Sequence, residues 1–490
     1  MEQALKYKAL HSIKWRVGLD IAQKVIFFLA SIIVARRLGP EAYGVFAFAL
    51  VVIGSFEVFK TLGFDSALIR MEKDVAKATD TAFIIIPLSG IILYLLLFAL
   101  APFLAHSFHA PELKAVLRIL GLVFVFSCFA KVSATLLVKK MQFKKIALAE
   151  FCGALAFSVI SVLCALSGFG VWALVYGYVT KVVIYSFLVS LFAKWTPKFQ
   201  FDPKIARDMF HFGKFVFLGV FVWFLRKNLD NFLVGKLIGM TALGLYALSF
   251  NLSNFLSDYL SGHISTVMYP AFSKLQNDPH SLKKAFFKTA KMLSMIVLPF
   301  GVLLFSLGGD IVKIVYGERW IEAIPVIRIL ALGGIFNALQ PVFTPFFLAV
   351  GKPKNNFYIS LIQVILFFTL ITPMASLYGI VGVAIVVSVA SLLGFLVCLF
   401  LLAKELNWTI KEAGDFLKTT VLASVFMLMT ILIIKEFKYC FVFQGVNSLN
   451  LILCLLIGTG AYFLVLRCFD RLSIQEVWNL IGFARKNKKI

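Results

Sequence analysis

Fourteen long apolar runs follow one another along the chain, and they constrain its fold more than any other feature. Each run is long enough to cross a bilayer as a helix, which takes about 20 residues. Hydrophobic residues occupy 61% of the 490 positions and charged residues only 15%, which excludes a soluble protein. The runs predict an all-α polytopic membrane protein with about 14 transmembrane helices. They cover residues 17–35, 43–62, 82–105, 116–137, 146–166, 171–193, 215–235, 243–265, 289–307, 325–350, 357–376, 379–403, 417–434 and 449–466.

Lys and Arg are distributed unevenly between the two sets of connections that alternate along the chain. Counted together with the adjoining ends of the runs, the set that includes both termini holds 34 of the 48 basic residues, the other set holds 10, and four lie deeper inside the runs. Because basic residues are enriched in cytoplasmic connections, this bias predicts that both termini are cytoplasmic and that the number of spans is even. It also accounts for the net charge of +24 without a nucleic-acid partner.

Three short matches recur in the same order in the two halves of the first twelve runs. Residues 38–47 match residues 238–247 around a glycine-containing turn, Pro87 matches Pro299, and Leu-Arg-Ile-Leu at 117–120 matches a similar segment 210 positions later. Six spans per repeat give both halves the same orientation, with substrate sites between them. Because proline removes a helical hydrogen bond, we expect the helices that contain Pro87 and Pro299 to bend.

The repeat predicts two six-helix lobes in a parallel pseudo-repeat, followed by two C-terminal helices. The segment between the lobes mixes aromatic and charged residues, as interfacial helices do, and the basic C-terminal tail is suited to anionic lipid. The predicted parts are an N-lobe at 1–196, an interfacial linker helix at 197–214, a C-lobe at 215–403, two further spans at 404–467 and a cytoplasmic tail at 468–490.

Patterns of catalytic or metal-binding residues are missing from the sequence. It has no DxD or DD pair, no phosphate-binding glycine loop and no long connection that could hold the active site of a glycan-assembly enzyme. His106 and His109 have no third ligand nearby, and the cysteines show no ligand spacing. The sequence therefore predicts no catalytic residue, no metal site and no cofactor.

Ionisable residues inside the apolar runs are the candidate functional residues, because a charge in the bilayer costs about 2.5–3.5 kcal/mol even on the most lenient scale. Asp20 and Lys24 form one i, i+4 pair and Arg226 and Asp230 form another, in the first span of each repeat. Lys227 and Lys181 are further candidates. The alternative is that these residues form structural ion pairs or extend to the headgroups.

The excess of positive charge among these candidates indicates an anionic substrate. Arg presents a planar fork to phosphate oxygens, and Lys a compact charge. We predict that Lys24, Lys181, Arg226 and Lys227 bind the substrate. A phosphate head with a long apolar tail would suit a cleft that is open to lipid, and a lipid-linked sugar has this chemistry.

Four segments resemble the polysaccharide-transporter (Wzx-type) flippases of the multidrug/oligosaccharidyl-lipid/polysaccharide exporter superfamily. They are Leu38–Gly44 (LGPEAYG), Gly63–Arg70 (GFDSALIR), Tyr269–Leu275 (YPAFSKL) and Tyr316–Trp320 (YGERW). The resemblance extends over roughly residues 10–405. It implies two six-helix lobes in a V shape and the movement of undecaprenyl-pyrophosphate-linked oligosaccharide repeat units across the bacterial inner membrane, for O-antigen, capsule or other exopolysaccharide assembly.

The resemblance also implies how such a protein works and what it meets. Lipid II flippases of the same superfamily have cationic cavities, and Lys24 and Arg226 resemble their cavity residues in kind and lobe position. Asp20 and Asp230 are the candidate carriers of a coupling proton or sodium ion. The expected partners are the lipid-linked oligosaccharide and membrane lipids, with a polysaccharide polymerase complex left open. A lipid II flippase and a multidrug or cation antiporter remain the alternatives.

Overall fold

The computed structural model describes residues 2–406, 408, 410–440 and 448–470, and all regular structure in these residues is helical. The predicted cytoplasmic tail lies outside the described residues from position 471 onward. The all-α prediction is confirmed. The helices of the first part of the chain are α1 (Glu2–Leu38), α2 (Pro40–Thr61), α3 (Phe64–Arg70), α4 (Val75–Ser107), α5 (Pro111–Leu120), α6 (Leu122–Lys139), α7 (Phe143–Leu166), α8 (Trp172–Ala193) and α9 (Pro203–Leu237).

Eight more helices complete the described chain, together with a π turn at Val312–Tyr316 and short 3₁₀ segments at Glu318–Trp320 and Gln340–Val342. Predicted span 325–350 is divided by the second of these 3₁₀ segments. The helices are α10 (Met240–Ser253), α11 (Phe255–Leu275), α12 (Pro279–Ile311), α13 (Ala323–Leu339), α14 (Phe343–Ala349), α15 (Pro353–Leu406), α16 (Ile410–Cys440) and α17 (Ser448–Phe469).

Within the described residues, eleven helices are long and apolar enough to span a membrane, so the count of fourteen stays a prediction. Part of the difference has a clear cause in α15. Gly379 has a left-handed φ of 58°, and the side chain of Gln363 donates to the carbonyl oxygen of Ala390 at 3.4 Å. The chain therefore reverses at Gly379, and α15 is a hairpin whose two arms correspond to the predicted spans 357–376 and 379–403.

The chain divides into two compact units, Met1–Gly244 and Leu245–Ile490. In the first unit, α9 joins the amphipathic segment after Asp202 to the predicted span 215–235 in one continuous helix. Asp202 starts this helix, because its carboxylate accepts hydrogen bonds from the backbone N–H groups of Lys204 (2.9 Å) and Ile205 (3.2 Å). The predicted linker and the first helix of the second repeat are thus one element.

A reciprocal contact between two glycines supports the predicted repeat. Gly44 and Gly244 occupy equivalent positions in the matched segments 38–47 and 238–247, and both lie in the first unit. A Cβ atom built on Gly44 would lie 1.8 Å from the carbonyl oxygen of Met240, and one built on Gly244 would lie 1.8 Å from the carbonyl oxygen of Pro40. The first turns of α2 and α10 therefore pack backbone against backbone in a symmetric way that only glycine permits.

The two matched prolines also lie in corresponding elements. Pro87 is inside α4 and Pro299 is inside α12, and both helices contain 33 residues. The structure therefore places each proline where it removes a hydrogen bond within a membrane-length helix. The bend at each proline stays a prediction.

In the second unit, α16 and α17 pack on α12 through an apolar core closed by an ion pair at each end. Lys435 of α16 contacts Asp310 at 2.6 Å, and Lys291 contacts Asp470 just after α17 at 2.5 Å. Between them, the hydroxyl of the buried Tyr462 donates to the carbonyl oxygen of Met295 at 3.0 Å. Lys291 and Asp310 are 19 residues apart, or about 28 Å along a helix, which is close to the thickness of the hydrocarbon core.

These contacts agree with the predicted sides of the membrane. The Lys291–Asp470 pair joins two connections that the basic-residue count assigns to the cytoplasm. Lys352 and Glu405, which also contact each other at 2.6 Å, lie in two further connections of that set. The assignment of the termini to the cytoplasm stays a prediction, supported by this agreement.

Candidate functional site

All six residues predicted to bind substrate or ions lie in the first unit, on three helices. Asp20 and Lys24 are half-buried on α1, and Lys181 is half-buried on α8. The other three are on α9, where Arg226 and Lys227 are half-buried and Asp230 is 2% exposed. The roles assigned to these residues stay predictions.

Asp230 is the most deeply buried of the six. Its Oδ1 atom accepts a hydrogen bond from the backbone N–H of Asn231 at 2.8 Å and another from the side-chain amide of Asn231 at 3.3 Å. A buried carboxylate needs such donors, because burial without a partner is costly. Asp230 also takes part in an interaction beyond these bonds.

The packing of α9 against α2 determines where its charged residues lie. The rings of Phe217 and Phe221 contact the ring of Phe59, with centroids 5.1 and 6.0 Å apart. One turn further along, Phe224 fills the space left by Gly54, since a Cβ at that glycine would lie 2.8 Å from the Phe224 ring. Arg226 lies two residues after Phe224, which packs against α2, and Arg226 itself is half-buried.

Lys181 lies near two acidic residues that occur close to the ends of predicted spans. The backbone and side chain of Lys181 pack closely on Gly153 of α7, and its ammonium group is 5.7 Å from the centre of the Tyr178 ring. Glu150 of α7 and Glu57 of α2 both act on its charge. The positive charge of Lys181 is therefore partly offset by carboxylates on two neighbouring helices.

Glu57 belongs to a wider ionic cluster at the end of α2. It pairs with Lys60 at 3.0 Å, and Lys60 also donates to the hydroxyl of Ser127 on α6 at 3.3 Å. One turn later on α6, Lys131 contacts Asp65 of α3 at 2.9 Å. The i, i+3 spacing of Glu57 and Lys60 is visible in the sequence, whereas the Lys131–Asp65 pair depends on the tertiary fold.

The pKa of Asp65, which lies in the short helix between two spans, reflects this pairing. Burial alone would raise the pKa of the carboxyl group. The positive charge of Lys131, its hydrogen bond, and further hydrogen bonds from Ser66 and Thr61 outweigh burial and bring the pKa below the ordinary value of 3.8. Asp65 is therefore ionised at neutral pH and holds α3 to α6.

Amide side chains in the second unit link helices to one another. Amide groups inside predicted spans, such as those of Asn254, Asn337 and Gln340, can either join helices or bind sugar. Asn337 donates to the side-chain oxygen of Asn254 at 2.7 Å, and Gln340 donates to the backbone carbonyl of Ser391 at 3.2 Å. These contacts favour a structural role, as is common for amides between membrane helices.

Across the described residues, no group of three or more His, Cys, Asp and Glu side chains could hold a metal ion. His106 and His109 are both exposed beside the loop between α4 and α5, and His109 has a left-handed φ of 52°.

The helices and the ionisable groups inside them define the class of the protein. Membrane-length apolar helices make up most of the described chain, and charged side chains inside such helices are typical of transporters. The chain is a multi-pass membrane protein of the transporter type. Its fold is similar to that of the lipid II flippase MurJ in an inward-closed conformation, with a TM-score of 0.74 and 19% identity over 92% of this chain and 99% of that chain.

The family is shown by the sequence. Residues 33–348 match the family model described as "Polysaccharide biosynthesis protein", and the chain belongs to this family. It is 26% identical over 353 residues to the teichuronic acid biosynthesis protein TuaB of Bacillus subtilis (strain 168), covering 71% of this chain and 72% of that protein. It is 25% identical over 447 residues to the succinoglycan biosynthesis transport protein ExoT of Rhizobium meliloti (strain 1021), covering 88% of this chain and 86% of that protein. The resemblance to polysaccharide flippases is confirmed.

Proposed function

We propose that this protein moves undecaprenyl-pyrophosphate-linked oligosaccharide repeat units from the cytoplasmic to the outer leaflet of the bacterial inner membrane. The products would be assembled into O-antigen, capsule or another exopolysaccharide. The observation that carries the proposal is the family match over residues 33–348 in a chain with a flippase-like fold. The names of TuaB and ExoT, which refer to teichuronic acid and to succinoglycan transport, support an exported polysaccharide as the end product.

Arg226 is the residue we assign to the pyrophosphate, with Lys227 and Lys24 in support. A guanidinium group can donate two parallel hydrogen bonds to phosphate oxygens, and Arg226 and Lys227 are both half-buried within a membrane helix. The substrate would enter a cationic cleft that opens alternately to each side of the membrane. Lys181 is a weaker candidate, because Glu57 and Glu150 act on its charge.

Net transport needs a source of free energy, and the sequence contains no phosphate-binding loop for ATP. Asp20 and Asp230 are our candidate sites for a coupling proton or sodium ion. The alternative is that use of the substrate by a polymerase on the outer side draws transport forward. We infer that the protein is a transporter and not an enzyme, with both termini in the cytoplasm.

Complementation of a strain that lacks its own lipid-linked oligosaccharide flippase tests the proposal. The wild-type chain should restore surface polysaccharide, and Arg226→Ala should abolish the restoration while membrane insertion and protein level stay unchanged. Arg226→Lys should retain partial function if charge alone is needed, and little if the planar fork is needed. Lys236→Ala is the matched control, because Lys236 is an exposed basic residue on the same helix.

The similarity of fold to MurJ supports lipid II as a second candidate substrate. Rescue of a strain depleted of its lipid II flippase, without rescue of surface polysaccharide, would favour lipid II. Rescue of surface polysaccharide alone would favour the oligosaccharide.

A further inference from the structure

The connection between α8 and α9, residues 194–202, is held in a defined shape although it is not helical; we name it the strap. Lys194, which ends α8, and Phe199 have left-handed φ angles of 47° and 52°, which are uncommon for non-glycine residues away from helix ends. The strap therefore has a conformation set by contacts with the rest of the first unit.

Two buried side chains of α4 supply these contacts. The backbone N–H of Lys198 donates to Oδ1 of Asp80 at 3.1 Å, and the backbone N–H of Asp202 donates to the hydroxyl of Thr81 at 3.1 Å. Asp80 is 3% exposed and Thr81 is fully buried. Both bonds use backbone donors of the strap, so they do not engage the side chain of Lys198.

Beneath the strap, an aromatic contact adds to these bonds. The ring of Phe83 lies 5.3 Å from the ring of Trp195 and 5.8 Å from the ring of Phe199. The inner edge of the strap is thus packed on α4 while its outer edge faces away from the protein.

The outward edge combines aromatic and basic side chains. Phe199 is 70% exposed and Phe201 is 53% exposed. The same combination of aromatic and basic residues continues onto the first turns of α9, where Phe210 is 48% exposed. One exposed acidic residue, Asp208, lies among them. We call this the strap surface, and its exposed members are Lys194, Lys198, Phe199, Phe201, Lys204, Arg207 and Phe210.

We propose that the strap surface binds the anionic phospholipid headgroups of the membrane in which the protein is embedded. The strap runs directly from the end of one membrane-length helix into α9, which contains the predicted span 215–235, so it lies at the membrane surface. Four basic side chains complement lipid phosphates, and aromatic rings are favoured at the boundary between headgroups and acyl chains. The inference is independent of the substrate that the protein transports.

Lipid binding by the purified full-length protein tests this proposal. Native mass spectrometry would count bound phosphatidylglycerol and phosphatidylcholine after exposure to an equal mixture of the two lipids. The wild type should retain phosphatidylglycerol preferentially. Replacement of the four basic residues Lys194, Lys198, Lys204 and Arg207 by Gln should reduce that preference at least tenfold, since each basic residue near a lipid surface contributes about fivefold in affinity.

Matched variants separate this surface from general effects of charge and apolar area. Lys114, Lys313, Arg319 and Arg328 are also exposed basic residues, in or next to connections assigned to the opposite side, and their replacement by Gln should leave most of the preference intact. Phe199→Ala with Phe201→Ala should weaken retention of phosphatidylglycerol. Phe187→Ala with Phe400→Ala, at positions 67% and 72% exposed, should not.

Three results would overturn the proposal. They are a wild-type lipid preference in the four-residue variant, an equal loss in the opposite-side control, and displacement of phosphatidylglycerol by inorganic pyrophosphate, which would indicate a soluble anion as the ligand. Thermal unfolding in phosphatidylcholine verifies that each variant is folded. The single variants Lys198→Gln and Lys204→Gln, each expected to lose about fivefold, extend the test if the fourfold variant is unstable.

Discussion

Replacement of Gly44 by alanine tests the repeat through its tightest contact. The new Cβ would lie 1.8 Å from the carbonyl oxygen of Met240, whereas distances below 3.0 Å essentially never occur. The first turns of α2 and α10 would have to separate by about 1.2 Å, and neither side can yield easily because both contacting groups are backbone. Overpacking of this kind costs about 1–3 kcal/mol, or roughly 2–12 °C in melting temperature for a unit of this size.

The assay is thermal unfolding of the purified protein in detergent, followed by intrinsic fluorescence. Gly460→Ala is the matched control, because Gly460 is inside α17 and a Cβ there would meet nothing within 4 Å. This control should be neutral or slightly stabilising, since alanine favours helix more than glycine does.

The equivalent change Gly244→Ala should cost about as much as Gly44→Ala. The double variant should cost less than the sum of the two, because one separation of the turns relieves both clashes. Full additivity of the two changes, or a melting temperature of Gly44→Ala equal to that of the wild type, would refute the reciprocal contact.

Three further predictions concern ion pairs. Lys435→Asp should destabilise the second unit by about 2 kcal/mol. The charge-swapped double variant, Lys435→Asp with Asp310→Lys, should recover more than half of the loss in thermal stability. No recovery would show that the pair does not hold α16 to α12. Asp65→Asn should lower the melting temperature by an amount equivalent to about 1 kcal/mol at neutral pH. The pKa of Asp65 in the folded protein is lowered, so the difference in melting temperature from the wild type should be complete at pH values above the ordinary pKa of 3.8. It should vanish as the pH falls through the lowered pKa. A difference that is constant with pH would contradict this prediction. Lys181→Met should destabilise the first unit, and adding Glu150→Gln should restore stability if Lys181 balances acidic neighbours.

Much of the fold could be predicted from local sequence. Apolar runs of 18 or more residues have few alternatives to membrane helices. The short matches around Gly44 and Gly244 contain the two glycines that the structure brings into backbone contact, and the repeat itself stays a prediction. The reversal at Gly379 falls at the boundary between two predicted spans, where glycine adopts a positive φ without strain.

The extent of α9 could not be predicted from the same pattern. The amphipathic segment after Asp202 and the apolar run from 215 differ in composition, so hydropathy separates them, although backbone hydrogen bonding continues through both. Its docking depends on close contacts such as that between Gly63 and Gly213, where a Cβ would lie 2.4 Å from backbone. Such contacts join residues far apart in sequence.

The candidate site was predicted only in part. The search for charges inside spans led to groups that the structure buries fully or in part, such as Asp230 and Arg226, and their function stays a prediction. The same search does not select Glu57 and Glu150, because they lie near the ends of predicted spans. Their influence on Lys181 depends on the packing of α2, α7 and α8, which the sequence does not specify.

The most direct test of the central claim is a translocation measurement in proteoliposomes that contain only this protein and an undecaprenyl-pyrophosphate-linked oligosaccharide. Transport is followed by the access of a membrane-impermeant lectin or glycosidase to the sugar. We expect transfer between leaflets well above that of protein-free vesicles, reduced at least tenfold in Arg226→Ala and unchanged in Lys236→Ala. No transfer above the protein-free rate by folded wild-type protein, under an imposed proton or sodium gradient of either direction, would contradict a role in translocation.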